Sequence, residues 1–242
     1  MAETDPYRHH PELRGRIRPA AESFFRDLDI DMLDISMAEA GMPADWRTPD
    51  DVREANRRTW LQDRMATDLW IFGYGSLMWD PSVEFTEVRQ ARATGFQRSF
   101  CLWDEGGRAT ADNPGLMLAL DEGGFCDGLA FRIDAAQVDH ETFVLFRREM
   151  IAPAYRPAWL ALDTPAGPVE ALGFVADRGM DNIRPGIPLD TQARMIASAQ
   201  GVLGTNFDYL ADTHAHLQLL GIEDAYISSV VAATRALRDT MA

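Results

Sequence analysis

Two short features of this 242-residue chain carry residue types and spacings that could do chemistry. The first is the loop Gly73-Tyr74-Gly75-Ser76-Leu77, in which two glycines flank an aromatic directly after the bulky, uncharged run Leu69–Phe72. Such a run predicts a buried strand that breaks into a loop. Glycine admits positive φ and lets a ligand approach the main chain, so backbone N–H groups can converge on a carboxylate or phosphate. The same residues also suit a tight turn closing a hairpin, with Tyr74 and Leu77 in the core.

The second feature is Glu149. Val138, Thr142, Leu145 and Glu149 follow one another at spacings of four, three and four, which places them on one helical face. Three would suit a core stripe and the fourth is a carboxylate. Phe143 and Val144 lie elsewhere on the cylinder, so the helix reads as buried on several sides with Glu149 pointing inward. Burial and the negative end of the helix dipole both disfavour its charged form, raising its pKa toward the range a general acid/base needs. The competing reading is a salt bridge to Arg148, Arg156 or another arginine.

Composition narrows the chemistry further. All 23 basic residues are arginine, which removes Schiff-base, pyridoxal-phosphate and P-loop lysine mechanisms. A net charge of −15 argues against a nucleic-acid partner. Cys101 and Cys126 lack zinc-type spacing and sit in apolar runs, so they read as core residues in a reducing compartment. His214 and His216, two apart on a predicted helix, point to nearly opposite faces and do not suggest a shared metal. No run approaches the length of a membrane span. The first residues, with Glu3, Asp5 and two histidines, do not resemble a signal peptide, and the expectation is a cytoplasmic protein.

The elements that must position the loop and the carboxylate fall into two regions. Residues 1–68, with 15 acidic residues and 10 arginines, read as a helical N-terminal extension. Its clearest helix has Thr48 as N-cap, Pro49 first, Asp50 and Asp51 in the first turn, and runs to about Arg64. Residues 69–242 turn to strands: Val83–Ala93, Phe96–Trp103, Leu116–Leu120 and Phe125–Ile133, the last two around a turn at Asp121–Gly124. A helix from an Asp134 cap to about Met150 follows, then strands Ala158–Leu162 and Val169–Ala176. Helices Asp190–Leu203, Phe207–Leu220 and Asp224–Thr240 complete the chain, stopped by Gly204 and Gly221. This order predicts an α+β fold with a curved or closed sheet.

Taken together, a main-chain cradle and a buried base make a minimal site for an amino-acid-like substrate. The blocks WIFGYGSLMWDP (70–81), ATGFQRSFCLW (93–103), NPGLMLALDEGGFCDGLAFRI (113–133), FRREMIAPAYRPAW (146–159) and DYLADTHAHLQLLGI (208–222) resemble the gamma-glutamylcyclotransferase superfamily. The resemblance is to its ChaC-like, glutathione-specific branch, and it covers residues 69–240. It implies a small, partly closed mixed β-barrel with surrounding helices, no metal and no organic cofactor. It further implies intramolecular cyclisation of a γ-glutamyl group, which for glutathione releases 5-oxoproline and Cys-Gly. In that scheme Ile71, Phe72, Gly73, Tyr74, Gly75, Ser76 and Leu77 hold the γ-glutamyl moiety and Glu149 accepts and returns the proton. Tyr155 and Tyr209 belong to blocks associated with the substrate pocket. Arg98 could face a substrate carboxylate or form a structural ion pair. The segment Asp177–Pro188 and Ala158 depart from the family pattern. The alternatives are action on other γ-glutamyl peptides or amines, or a non-catalytic metabolite-binding module of the same fold.

Overall fold

The computed structural model describes residues 5–241, so Glu3 lies outside the described residues. The described residues divide into two compact units, those up to 28 with 47–97 and 122–175 forming the first, and 29–46 with 98–121 and those from 176 onward forming the second.

Five strands close into a barrel in the order β1-β3-β2-β4-β5. They are β1 (Leu69–Gly73), β2 (Glu87–Asp104), β3 (Gly115–Ile133), β4 (Tyr155–Asp163) and β5 (Val169–Ala176). β1 runs antiparallel to β3, with Ile71 opposite Phe131, and parallel to β5, with Ile71 beside Leu172. β1 is therefore covered along both edges, and Leu69, Ile71 and Phe72 are almost fully buried. That explains why it reads as a continuous apolar run rather than an alternating one. Edge-on ring pairs, Phe85 with Phe131 and Phe146 with Phe174, fill the first unit's core.

The long strands correct the sequence reading. Gly95 and Asp121–Gly124, expected to separate strands, lie inside β2 and β3. Gly95, Gly123 and Gly124 have φ of +89°, +132° and +50°. A Cβ on Gly123 would come within 2.9 Å of the Gln97 side chain, so the strand bends there against its neighbour instead of ending. A barrel this small must curl its strands, and glycine marks a bend with the same letter that marks a turn.

In the first unit, α2 (Asp50–Leu61) starts one residue after the expected position, with Pro49 as its cap. It docks on α3 (Val138–Glu149) through the buried Arg57, which donates to Thr142 Oγ1 at 2.8 Å and Asp139 Oδ1 at 2.8 Å. α3 begins at Val138 rather than beside Asp134, whose Oδ1 accepts from the Ala136 N–H in a preceding turn. Val138, Thr142, Val144 and Leu145 are buried as expected, but Phe143 is 42% exposed, so that side of the helix faces solvent.

The second unit holds α1 (Ile30–Glu39), α4 (Leu189–Ser198), α5 (Asn206–Leu219) and α6 (Ala225–Met241), with α4, α5 and α6 packed on one another. The expected helix to Leu203 stops at Ser198, and a short hairpin of β6 (Gln200–Gly201) and β7 (Gly204–Thr205) replaces its last turn. Gly204 shapes that hairpin instead of stopping a helix, whereas Gly221, at φ +65°, follows α5 as expected. The buried Asn206 opens α5 and exchanges two hydrogen bonds with the Leu116 backbone, at 2.8 and 2.7 Å. Cys101 and Cys126 are both free and buried, and burial pushes the Cys101 thiol up to about 11. Among the described residues, no helix is long and apolar enough to cross a membrane.

One glycine fixes the end of β1. A Cβ on Gly128 would sit 2.3 Å from the Gly73 carbonyl oxygen and 3.0 Å from the Phe72 ring, so β3 can pass β1 there only without a side chain. Gly128→Ala must push the Gly73 backbone away, and a destabilisation of about 1–3 kcal/mol is expected in urea unfolding. A second glycine-to-alanine change at Gly167, where nothing lies within 4 Å but φ is +105°, is the control for backbone strain alone.

Candidate active site

The loop after β1 is built on contact rather than on left-handed backbone. Neither Gly73 nor Gly75 has a positive φ, contrary to the conformational role expected for them. At Gly73 a Cβ would lie 3.1 Å from the Leu77 backbone carbon and Cβ, so the loop folds back on itself too closely for any side chain. Ser76–Met78 then form a single 3₁₀ turn, tied by Met78 N–H to the Gly75 carbonyl at 2.9 Å and Asp80 N–H to the Ser76 carbonyl at 2.9 Å. The opening N–H groups of such a turn have no partner within it, which is the arrangement an anionic group can use. Tyr74 and Leu77 are buried, and Ser76 is half-buried.

Glu149 lies at the end of α3 with its side chain 13% exposed. Its Oε1 is 3.0 Å from Nε of Arg148, whose side chain is 4% exposed. The same guanidinium donates from Nη2 to Ser76 Oγ at 2.8 Å and from Nη1 to Ser82 Oγ at 2.5 Å and to the Asp80 carbonyl. Arg148 thus ties the carboxylate of α3 to the loop after β1. The salt-bridge alternative for Glu149 is realised, and its partner is buried and anchored on the glycine loop rather than displayed on the surface. Arg156 faces Glu122 instead, at 3.6 Å.

Burial raises the Glu149 pKa above the ordinary carboxylate value, with Arg148 pulling the other way by charge and hydrogen bond. A partly desolvated carboxylate beside one fixed cation can hold a proton or release it, as a general acid/base requires. Ser82, 62° in φ, is the one non-glycine residue with positive φ among the described residues. It is fully buried directly under Arg148, where backbone strain is retained because surrounding contacts over-determine it.

The remaining expected site residues divide by unit. Ile71 to Leu77, Glu149 and Tyr155, the half-buried first residue of β4, belong to the first. Tyr209 and Arg98 belong to the second, where both are engaged in packing: Tyr209 meets Phe100 edge-on at 6.3 Å, and Arg98 pairs with Asp224 at 3.1 Å. No cluster of three or more metal-capable side chains occurs among the described residues. Arg148 is the residue sequence reasoning weighed only as a competitor. Its place next to Glu149 on α3 was visible, but its reach to Ser76 and Ser82 depends on tertiary contacts.

Comparison with known proteins gives a consistent picture. Residues 69–237 match the family model described as ChaC-like protein. A glutathione-specific gamma-glutamylcyclotransferase of Escherichia coli K12 is 41% identical over 174 residues, covering 70% of this chain and 74% of that protein. Glutathione-specific gamma-glutamylcyclotransferase 1 of Homo sapiens is 30% identical over 172 residues, covering 68% and 78%. The crystal structure of a glutathione-specific gamma-glutamyl cyclotransferase from yeast superposes with a TM-score of 0.65 at 18% identity, over 72% of this chain and 98% of that one, a likeness of fold.

The raised pKa of Glu149 has a consequence for stability. The folded state holds the Glu149 proton more tightly than the unfolded chain does, so the contribution of this group is complete at low pH and is lost as pH rises through its folded-state pKa. Glu149→Gln keeps a neutral side chain at every pH. Its Tm is expected to equal or exceed that of the wild type at neutral pH, with the difference narrowing on acidification. A lower Tm for the variant at neutral pH would mean that the Arg148 pairing outweighs burial.

Proposed function

From the premise that the chain belongs to the ChaC-like protein family, we propose that it is a glutathione-specific gamma-glutamylcyclotransferase with Glu149 as its general acid/base. The observation that carries the reading is the single guanidinium, Arg148, hydrogen-bonded to Ser76 of the glycine loop and to the Glu149 carboxylate at once. It brings an anion-holding turn and a proton carrier onto one support. The names of the Escherichia coli and human relatives supply the substrate.

In this mechanism the γ-glutamyl group folds back so that its α-amine faces its own side-chain carbonyl. The amine nitrogen attacks that carbonyl carbon, one carbon–nitrogen bond forms to close the five-membered lactam, and the original amide carbon–nitrogen bond breaks. Glu149 takes the proton the amine must lose and delivers it to the departing nitrogen of Cys-Gly. Nothing is oxidised, no water is consumed and the second product is 5-oxoproline. Because the reacting groups belong to one molecule, most of the rate comes from holding the folded conformer. N–H groups at the start of the Ser76–Met78 turn are suited to the α-carboxylate or to charge developing on the carbonyl oxygen. The working residues of this reading are Ile71 to Leu77, Glu149 and Tyr155, within a catalytic region of residues 69–242. Cytoplasmic residence belongs to the same reading, since both cysteines are free and a thiol substrate persists in a reducing compartment.

Incubation with glutathione, with both products quantified by mass spectrometry, is the direct test. Wild-type protein is expected to form 5-oxoproline and Cys-Gly in equal amounts. Glu149→Gln is expected to bind glutathione and to lose turnover by about 10²–10⁴-fold, the range of general acid–base assistance. A panel of other γ-glutamyl peptides and amines, run alongside, reports substrate preference. Turnover of one of these in place of glutathione would reassign the substrate and keep the chemistry.

A further inference from the structure

A stretch of the chain outside the family match reaches the proposed site. Residues 18–26 run along the Trp79–Ser82 segment within the first unit, and three of their side chains bond to Asp80 and Ser82, two of the residues that hold Arg148. Arg18 N–H donates to the Trp79 carbonyl at 2.8 Å, and its Nη1 donates to Asp80 Oδ2 at 3.0 Å. Ser23 Oγ donates to Ser82 Oγ at 2.8 Å, and Arg26 Nη1 donates to the Ser82 carbonyl at 3.1 Å. Arg26 is itself fixed by the fully buried Glu141 of α3, through two hydrogen bonds of 2.7 and 2.8 Å. Between these anchors Phe25 lays its ring over the Arg148 guanidinium, 4.1 Å from its carbon.

We propose that this N-terminal strap is a working part of the catalytic site, with Phe25 as a positioning residue that acts on Glu149 through Arg148. The inference rests on Glu149 being the proton carrier of the cyclisation. A guanidinium is a flat cation with hydrogen-bonding edges and two faces. The edges of Arg148 are taken by Glu149, Ser76, Ser82 and the Asp80 carbonyl, and Phe25 covers a face. With edges bonded and a face stacked on an aromatic ring, the group cannot rotate away or be reached by water on that side. The Coulomb pull of Arg148 on Glu149 is therefore exerted in a dry setting, where it is strongest. The strap also explains how Ser82 keeps its left-handed backbone: its carbonyl and hydroxyl are both gripped from residues 23 and 26. Other charges close to this cluster are Asp80, whose Oδ1 is 3.8 Å from Arg148, Arg18, which offsets Asp80 from the strap, and Arg147 of α3, whose Nη2 donates to the Arg26 carbonyl at 2.7 Å.

The sign of the effect follows from the two opposing influences on Glu149. Burial raises its pKa and Arg148 lowers it. Loosening Arg148 leaves burial less opposed, so Glu149 holds its proton to higher pH and the acid limb of the kcat/KM profile for glutathione moves in the alkaline direction. Phe25→Ala is expected to show that displacement together with a fall in kcat of about tenfold. Phe25→Tyr, which keeps the aromatic face, is expected to restore the wild-type limb. If Phe25→Ala does not fold, Phe25→Leu fills the same space without a π-face and is expected to displace the limb in the same direction. A folded Phe25→Ala or Phe25→Leu variant whose acid limb coincides with that of the wild type overturns the inference, whatever its kcat. Glu149→Gln assayed in parallel separates the two readings: a variant that still turns over glutathione removes Glu149 itself, whereas an inactive variant beside an unmoved Phe25→Ala limb removes only the strap.

Discussion

The buried guanidinium of Arg148 is the interaction on which the rest of the arrangement depends. An arginine taken out of water is costly unless every donor is satisfied, and a pair broken on one side leaves a charge with no compensation. Here the satisfaction comes from separate parts of the chain: Glu149 on the same helix, Ser76 on the loop after β1, and the Asp80–Ser82 segment. Each of these supplies an acceptor that lowers the cost of burying the cation. The requirement to satisfy Arg148 therefore fixes the relative position of the groups proposed to bind and to transfer a proton.

The barrel supplies the rigidity that this requires. β1 is paired along both edges, antiparallel to β3 and parallel to β5, so the loop leaves a strand that cannot slide. Gly128 on β3 lets the end of β1 approach without a side chain between them, and Gly73 lets the loop close onto Leu77. α3 is also held by two arginines, the buried Arg57 reaching Thr142 and Asp139 from α2, and Arg26 gripped by the buried Glu141. Sites on such supports can hold geometry to the tolerance that intramolecular ring closure demands.

The sequence made the chemistry-bearing residue types legible but not the group that joins them. The 3.6-residue spacing of Val138, Thr142, Leu145 and Glu149 was enough to place a carboxylate on a buried face, because a helical face is a local property. Arg148 adjoins Glu149 in sequence, yet its bonds to Ser76 and Ser82 cross more than sixty residues and leave no periodic trace. Gly95 and Gly123–Gly124 read as ends of strands in the sequence because a strand that bends and a strand that stops use the same residue. The β6–β7 hairpin reads as the end of a helix because two-residue strands are too short to show alternation. Residues 18–26 form turns with no hydrophobic period, so Phe25, beside the 58% exposed Phe24, carried no mark of its position over Arg148.

The central claim is that Glu149 is a desolvated proton carrier held by Arg148, and its most direct test is the ionisation of that one carboxyl. Carbon-13 NMR of protein labelled at the glutamate carboxyl carbons, with the Glu149 resonance assigned by its loss in Glu149→Gln, follows that titration alone. The account predicts a midpoint above the ordinary glutamate value of 4.5, moving further upward when Arg148 is replaced by methionine. A midpoint at or below 4.5 would contradict it, since the residue would then be an ion-pair partner of Arg148 with no proton to exchange in the working range.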